Sequence, residues 1–170
     1  VGGRHQFFPK RELETIQYSI EDTYQGLYQE LRGYLGKARR PSQTNPPETE
    51  LTYARYGLWH YVKKEKQNKE PYASLHRAGM NLRGLIRILL FKRFESSVYA
   101  FSETARRLLQ VHERFLEALQ NGVVPAGEDA QAILYEPNQD EEQDIVEALR
   151  SVCGKYNADD FNINVLKKHI

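Results

Sequence analysis

Leu89-Leu90-Phe91-Lys92-Arg93-Phe94-Glu95-Ser96-Ser97-Val98-Tyr99-Ala100-Phe101 decides how this chain is read. Its first half closes a basic, apolar helix that includes Met80 to Phe91, and Ser96-Ser97 opens a second long one. The upstream helix is expected from about Ser74 to Phe94, with Leu75, Leu82, Leu85, Ile86, Leu89 and Leu90 turned inward. Downstream, Val98, Phe101, Ala105, Leu108, His112, Phe115 and Leu119 recur at spacings of three and four. That is the seam of an antiparallel or coiled-coil-like pair, and Asn121-Gly122 ends it. The joint predicts a mostly α fold: a helical domain of antiparallel long helices.

Towards the N-terminus, Ile16, Tyr18 and Ile20 alternate with Gln17 and Ser19, which predicts a short extended N-terminal segment with strand character. Ser19-Ile20-Glu21-Asp22 is a capping signal for a helix carrying Tyr24, Leu27, Tyr28, Leu31 and Leu35, stopped at Gly36. Arg39 to Glu48, broken by prolines, reads as a loop. Another helix is expected from near Pro47, burying Leu51, Ala54, Leu58, Tyr61 and Val62 and dissolving into the basic tail Lys63 to Lys69. Beyond Gly122, Val123 to Asn138 reads as a linker. A helix over Asp140 to Tyr156 and a short one from near Asn162 follow it. The expected organisation is an extended lead-in (1–20), a helical domain (21–122), an acidic linker (123–139) and C-terminal helices (140–170).

With 170 residues, 40% of them hydrophobic, the chain can bury one core, or one core and a satellite helical pair. A net charge of +1 selects no partner, but the charge is unevenly spread. Arg83, Arg87, Lys92, Arg93, Arg106 and Arg107 outnumber the acids of their region, while Asp129, Glu136, Asp140, Glu141, Glu142 and Asp144 reverse the balance later. One face is suited to an anionic partner; the alternative is two solvated helix faces. Cys153, the single cysteine, lies among Ile145, Val146, Leu149 and Val152 and reads as a core thiol in a reducing, intracellular compartment. No stretch approaches the roughly 20 apolar residues of a membrane span, so no membrane role is expected. The chain opens without Met and closes at His169-Ile170 inside an expected helix, which reads as a piece of a longer protein.

No phosphate-loop or dinucleotide-binding glycine pattern is present, and the five histidines lack metal-ligand spacing. His112 falls on a helix seam and reads as a satisfied interior histidine. Asp159-Asp160 reads as a helix cap and Ser96-Ser97 as a helix start, without the elbow of a serine nucleophile. These residues are therefore expected to hold no catalytic group, metal or cofactor. Arg83 and Arg87 lie one turn apart and Lys92-Arg93 carry the charge to the helix end, where Ser96 and Ser97 add neutral donors. That set suits nucleic-acid phosphates, unless it is spent on salt bridges to Glu95, Glu103 or the acidic helix. Tyr53, Tyr56 and Trp59 form an aromatic cluster that serves a partner surface, stacks exposed bases, or packs helices.

Two segments carry a family resemblance. Phe8-Pro9-Lys10-Arg11-Glu12, with Tyr18-Ser19-Ile20 and Gln25-Gly26-Leu27-Tyr28, resembles the stretch by which Swi/Snf-like ATPases leave their first motor lobe. Leu89 to Phe101 is similar to the Leu-Leu-Lys-Arg-Leu-Glu-Ser-Ser element of bacterial relatives, which precedes a long helix and the second lobe. The resemblance implies the helical region between two RecA-like lobes of a cytoplasmic, bacterial, superfamily-two helicase or DNA translocase. It also implies that ATP and Mg bind in the parent's flanking lobes, that this fragment is inactive by itself, and that duplex DNA is its nucleic acid. The rival expectation is a helical protein–protein interaction or self-association module with no nucleic-acid role.

Overall fold

The computed structural model describes residues 10–36, 49–135 and 142–170. Ser97 organises its two longest helices, α3 (Tyr72–Ser96) and α4 (Val98–Gln120). Its extended backbone terminates α3, where its N–H donates to the Arg93 carbonyl, while its hydroxyl accepts from Ala100 N at 3.2 Å. One residue thus satisfies orphan groups of two helix ends and leaves no room for a connecting loop. The remaining helices are α1 (Ile20–Tyr24), α2 (Leu27–Leu35), α5 (Glu128–Tyr135), α6 (Glu142–Cys153) and α7 (Ile163–His169). The fold is all-α. Among the described residues, β-type pairing is limited to isolated bridges, Val62 with Phe161 and Val123 with Asn157.

The main core gathers around α4. Val111, Phe115, Ala118 and Leu119 meet Leu134 of α5, Leu149 and Cys153 of α6, Phe161, and Leu166 of α7. Cys153 is buried as expected, its thiol directed at the Ala126 carbonyl. A smaller cluster of Leu35, Tyr53 and Leu90 joins α2 to α3. Phe94 extends that contact, with ring centroids 4.8 Å from Tyr24 and 5.5 Å from Phe101. Across the molecule, Asp160 accepts from the Tyr72 hydroxyl at 2.5 Å and pairs with Lys66 at 3.2 Å. Those two partners hold its carboxyl below the usual carboxylate range.

Several expectations are corrected. Residues 10–19 form no strand: Leu13, Ile16 and Tyr18 are 102%, 79% and 62% exposed, and no edge among the described residues pairs with them. The first expected helix is capped by Ser19 and stopped at Gly36, but it is split, because Gln25 and Gly26 both take left-handed backbone. Gly36 takes φ +72° and ψ 176°, a backbone conformation that glycine adopts readily and L side chains rarely do. The helix expected from Pro47 to Val62 is instead two 3-10 turns, Ala54–Tyr56 and Leu58–Tyr61. Thr52 Oγ1 takes the Ala54 N–H, and Tyr53 adopts left-handed backbone so that its ring is buried and its hydroxyl reaches the Leu35 carbonyl at 2.9 Å. Tertiary burial has outweighed helical spacing there, yet Ala54, Leu58 and Val62 do face the core.

On α3, Leu90 is buried, but Leu82, Leu85 and Leu89, expected inside, are 37%, 50% and 50% exposed. The small cluster covers only one of the helix's two apolar stripes. The expected linker also changes character: Val123 to Ala126 are buried, and α5 sends Ala130 and Leu134 into the main core. Its acids Glu128 and Asp129 stay exposed in the first turn, where they complement the helix dipole. The expected loop at 39–48, residues 136–141 and the Phe8-Pro9 motif lie outside the described residues. No described helix is long and apolar enough to cross a membrane.

Candidate nucleic-acid interface

The expected basic strip divides in two. At about 100° of rotation per residue, Arg83 and Arg87 share one side of α3 and Lys92 falls about 180° from Arg83. Arg87 Nη1 donates to the Gly36 carbonyl at 2.9 Å, and its guanidinium lies 5.5 Å from the Phe91 ring centroid. Arg83 lies 5.9 Å from the Tyr53 ring centroid. Both arginines are half-buried and hold the end of α2 and the Tyr53 turn against α3. Burial pushes the Tyr53 phenol up to about 12 despite the two guanidinium groups opposing it. Lys92 and Arg93 are exposed at the helix end; Ser96 is exposed, and Ser97 is occupied as the shared cap.

The structure brings Arg93 to different basic neighbours. It lines a cleft of about 620 Å³ with Arg106 and Arg107 of α4, floored by Ile86, Leu89, Leu90 and Leu108. Glu103 also lines the cleft and is paired with Arg106. Three guanidinium groups therefore face one carboxylate, and the cleft retains a positive surplus. Arg93 is steadied by donating from Nε to Thr104 Oγ1 at 3.2 Å.

The three aromatic residues also separate. Tyr53 is buried. Trp59 donates from Nε1 to the Gln67 carbonyl at 3.1 Å and packs at a tilt against His76, with centroids 4.2 Å apart. Only Tyr56 lines the cleft, joined there by Tyr135 of α5. Tyr56 is placed by a close approach of backbones: a Cβ at Gly79 of α3 would come 2.8 Å from the Tyr56 carbonyl oxygen. Tyr135 is placed by Arg114 of α4, which donates to the adjacent Leu134 carbonyl at 3.1 Å.

Behind these two phenols lies a residue that the sequence did not single out. Arg55 is 2% exposed, and its side-chain hydrogen-bond partners among the described residues are all neutral. Nη1 donates to Gln131 Oε1 at 2.6 Å, and Nη2 donates to the Tyr135 hydroxyl at 2.8 Å and to the Tyr56 hydroxyl. Its guanidinium also lies 4.3 Å from the Tyr56 ring centroid. Its Nε has no hydrogen-bond partner among the described residues. Local sequence carries no sign of this cluster, because Gln131 and Tyr135 come from a helix 76 and 80 residues away.

Histidine 112 behaves as an interior residue, its Nδ1 lying 2.7 Å from the Leu108 carbonyl. Burial lowers its pKa, against that carbonyl, and the nearby Arg55 charge lowers it further. Among the described residues, no cluster of three or more His, Cys, Asp and Glu side chains is placed to hold a metal ion. Compared with known protein families, curated proteins and solved structures, the chain matches none.

Proposed function

We propose that this chain is a non-catalytic helical insertion of a Swi/Snf-like ATP-dependent helicase or DNA translocase, contacting nucleic-acid phosphates and coupling the motor lobes. The observation that carries the phosphate contact is the convergence of Arg93, Arg106 and Arg107 on one cleft, with Lys92 exposed at the same helix end. Forked guanidinium donors suit phosphate oxygens, and surplus positive charge draws a polyanion in. The loop-free joint at Ser97 supports the coupling role, since a displacement of α3 reaches α4 through one residue. In this reading ATP and Mg belong to the flanking lobes of a cytoplasmic bacterial motor, and no step here passes through them.

The test is duplex-DNA binding by the chain as a function of salt. Three or four phosphate contacts give a slope of about −3 in log affinity against log salt concentration. Lys92→Glu with Arg93→Glu is expected to abolish binding while the circular dichroism spectrum is unchanged. Salt-independent binding, or a double mutant that binds like the parent, would overturn the proposal.

A second reading rests on a different observation. Leu82, Leu85, Ile88 and Leu89 of α3, with Tyr99 and Leu109 of α4, remain exposed. Such a surface suits a helical interaction or self-association module.

A further inference from the structure

The phenol pair at the cleft wall leaves at least one hydroxyl hydrogen unused within the pair. Arg55 Nη2 supplies a hydrogen to each hydroxyl oxygen, and the two oxygens lie 3.3 Å apart. Of the two phenolic hydrogens, at most one is taken up between the rings. That contact is long for O–H···O, whose usual separation is about 2.7–2.8 Å. The other hydrogen has no acceptor among the described residues. Behind it stands a buried cation whose partners among the described residues carry no charge, a costly arrangement that a nearby anion would relieve. In front of it the cleft holds Arg93 and Arg107 on an apolar floor.

We infer that the Tyr56 and Tyr135 hydroxyls, backed by Arg55, form an oxyanion subsite in the cleft that accepts one phosphate group. The phenols donate directly to a phosphate oxygen, Arg55 polarises them from behind, and the cleft arginines neutralise the remaining charge. Tyr56 and Tyr135 are thus binding residues and Arg55 a positioning residue. The subsite deepens the nucleic-acid reading if the phosphate belongs to a polynucleotide, and stands by itself if the phosphate belongs to a small molecule.

The experiment is a titration of the chain with inorganic phosphate at constant ionic strength, followed by the tyrosine ring-carbon NMR signals. Saturable shifts are expected at Tyr56 and Tyr135. Tyr135→Phe, a change at a partly exposed position, is expected to weaken phosphate about tenfold or more through loss of a charge-assisted hydrogen bond. Phosphate that acts no differently from chloride would overturn the subsite, as would a Tyr135→Phe variant that binds phosphate like the parent. Competition with adenosine monophosphate and with a short DNA duplex separates the two sources. Displacement by the mononucleotide but not the duplex keeps the subsite and removes the nucleic-acid reading. Duplex binding that ignores Tyr135→Phe, with no phosphate shift, removes the subsite and keeps that reading.

Discussion

A histidine that must stay neutral makes a fold sensitive to acid, and His112 is in that position. Its pKa is lowered from the usual 6.5 chiefly by burial, and that of the more exposed His60 is lowered in the same direction by partial desolvation and by the nearby His76 and Arg83. The unfolded chain therefore takes up these protons at a higher pH than the folded one does. Their contribution to stability is complete above about pH 6.5 and is lost as the pH falls towards the folded-state values. The midpoint of thermal unfolding is expected to hold steady from pH 8 to 7 and to decline below 6.5. His112→Gln should flatten part of that decline; an unchanged profile would show that His112 titrates alike in the folded and unfolded chain. Of the sequence-based readings at this scale, His112 and Cys153 were legible because their own helices place them on buried faces. Arg55 was not, because its environment is assembled from α5.

At the level of elements, Ser97 is the most exposed to a single change. Ser97→Ala removes the hydroxyl that caps α4 and leaves the Ala100 N–H without its side-chain acceptor. The expected loss is about 1 kcal/mol in urea unfolding, the usual worth of such a cap. Ser96→Ala, at an exposed position outside the cap, is expected to change stability by less than about 0.5 kcal/mol. Equal effects from the two would show that the cap geometry is not what stabilises the joint. The joint was legible in sequence because capping is a local event set by a few neighbouring residues. The 3-10 turns at Ala54–Tyr56 and Leu58–Tyr61 were not. There the apolar spacing is helical, but the Tyr53 hydroxyl bond to Leu35 and the Thr52 cap to Ala54 N select a tighter path.

For the whole molecule, the surface that bears on partnership is the exposed apolar side of α3. Its core-facing residues meet Tyr53, Leu35 and the α4 side chains, while Leu85 and Leu89 are each half exposed. If self-association uses this surface, light scattering of the parent should report a dimer, and Leu85→Glu with Leu89→Glu should return a monomer with unchanged helicity. A parent that is monomeric at high concentration would remove self-association. Phe115 and Leu108, on the seam expected to pair helices, do not suit this test. Phe115 is fully buried and Leu108 packs beside the smaller cluster, so charge there would disrupt folding rather than association.

Sequence by itself determined the all-α class, the Ser97 joint, the full span of α4 and the positions where α1 begins and α2 and α4 end. Each of these follows from capping or from a 3.6-residue period, which act within a few residues of their cause. Tertiary structure alone decided which apolar stripe of α3 is covered, that residues 123–135 build the core, and that Arg83 and Arg87 turn inward. It also decided that Arg93, Arg106 and Arg107 share a cleft with the Arg55-backed phenols. These outcomes depend on residues far apart in the chain meeting, and the burial gained when they meet outweighs the local preferences of each segment.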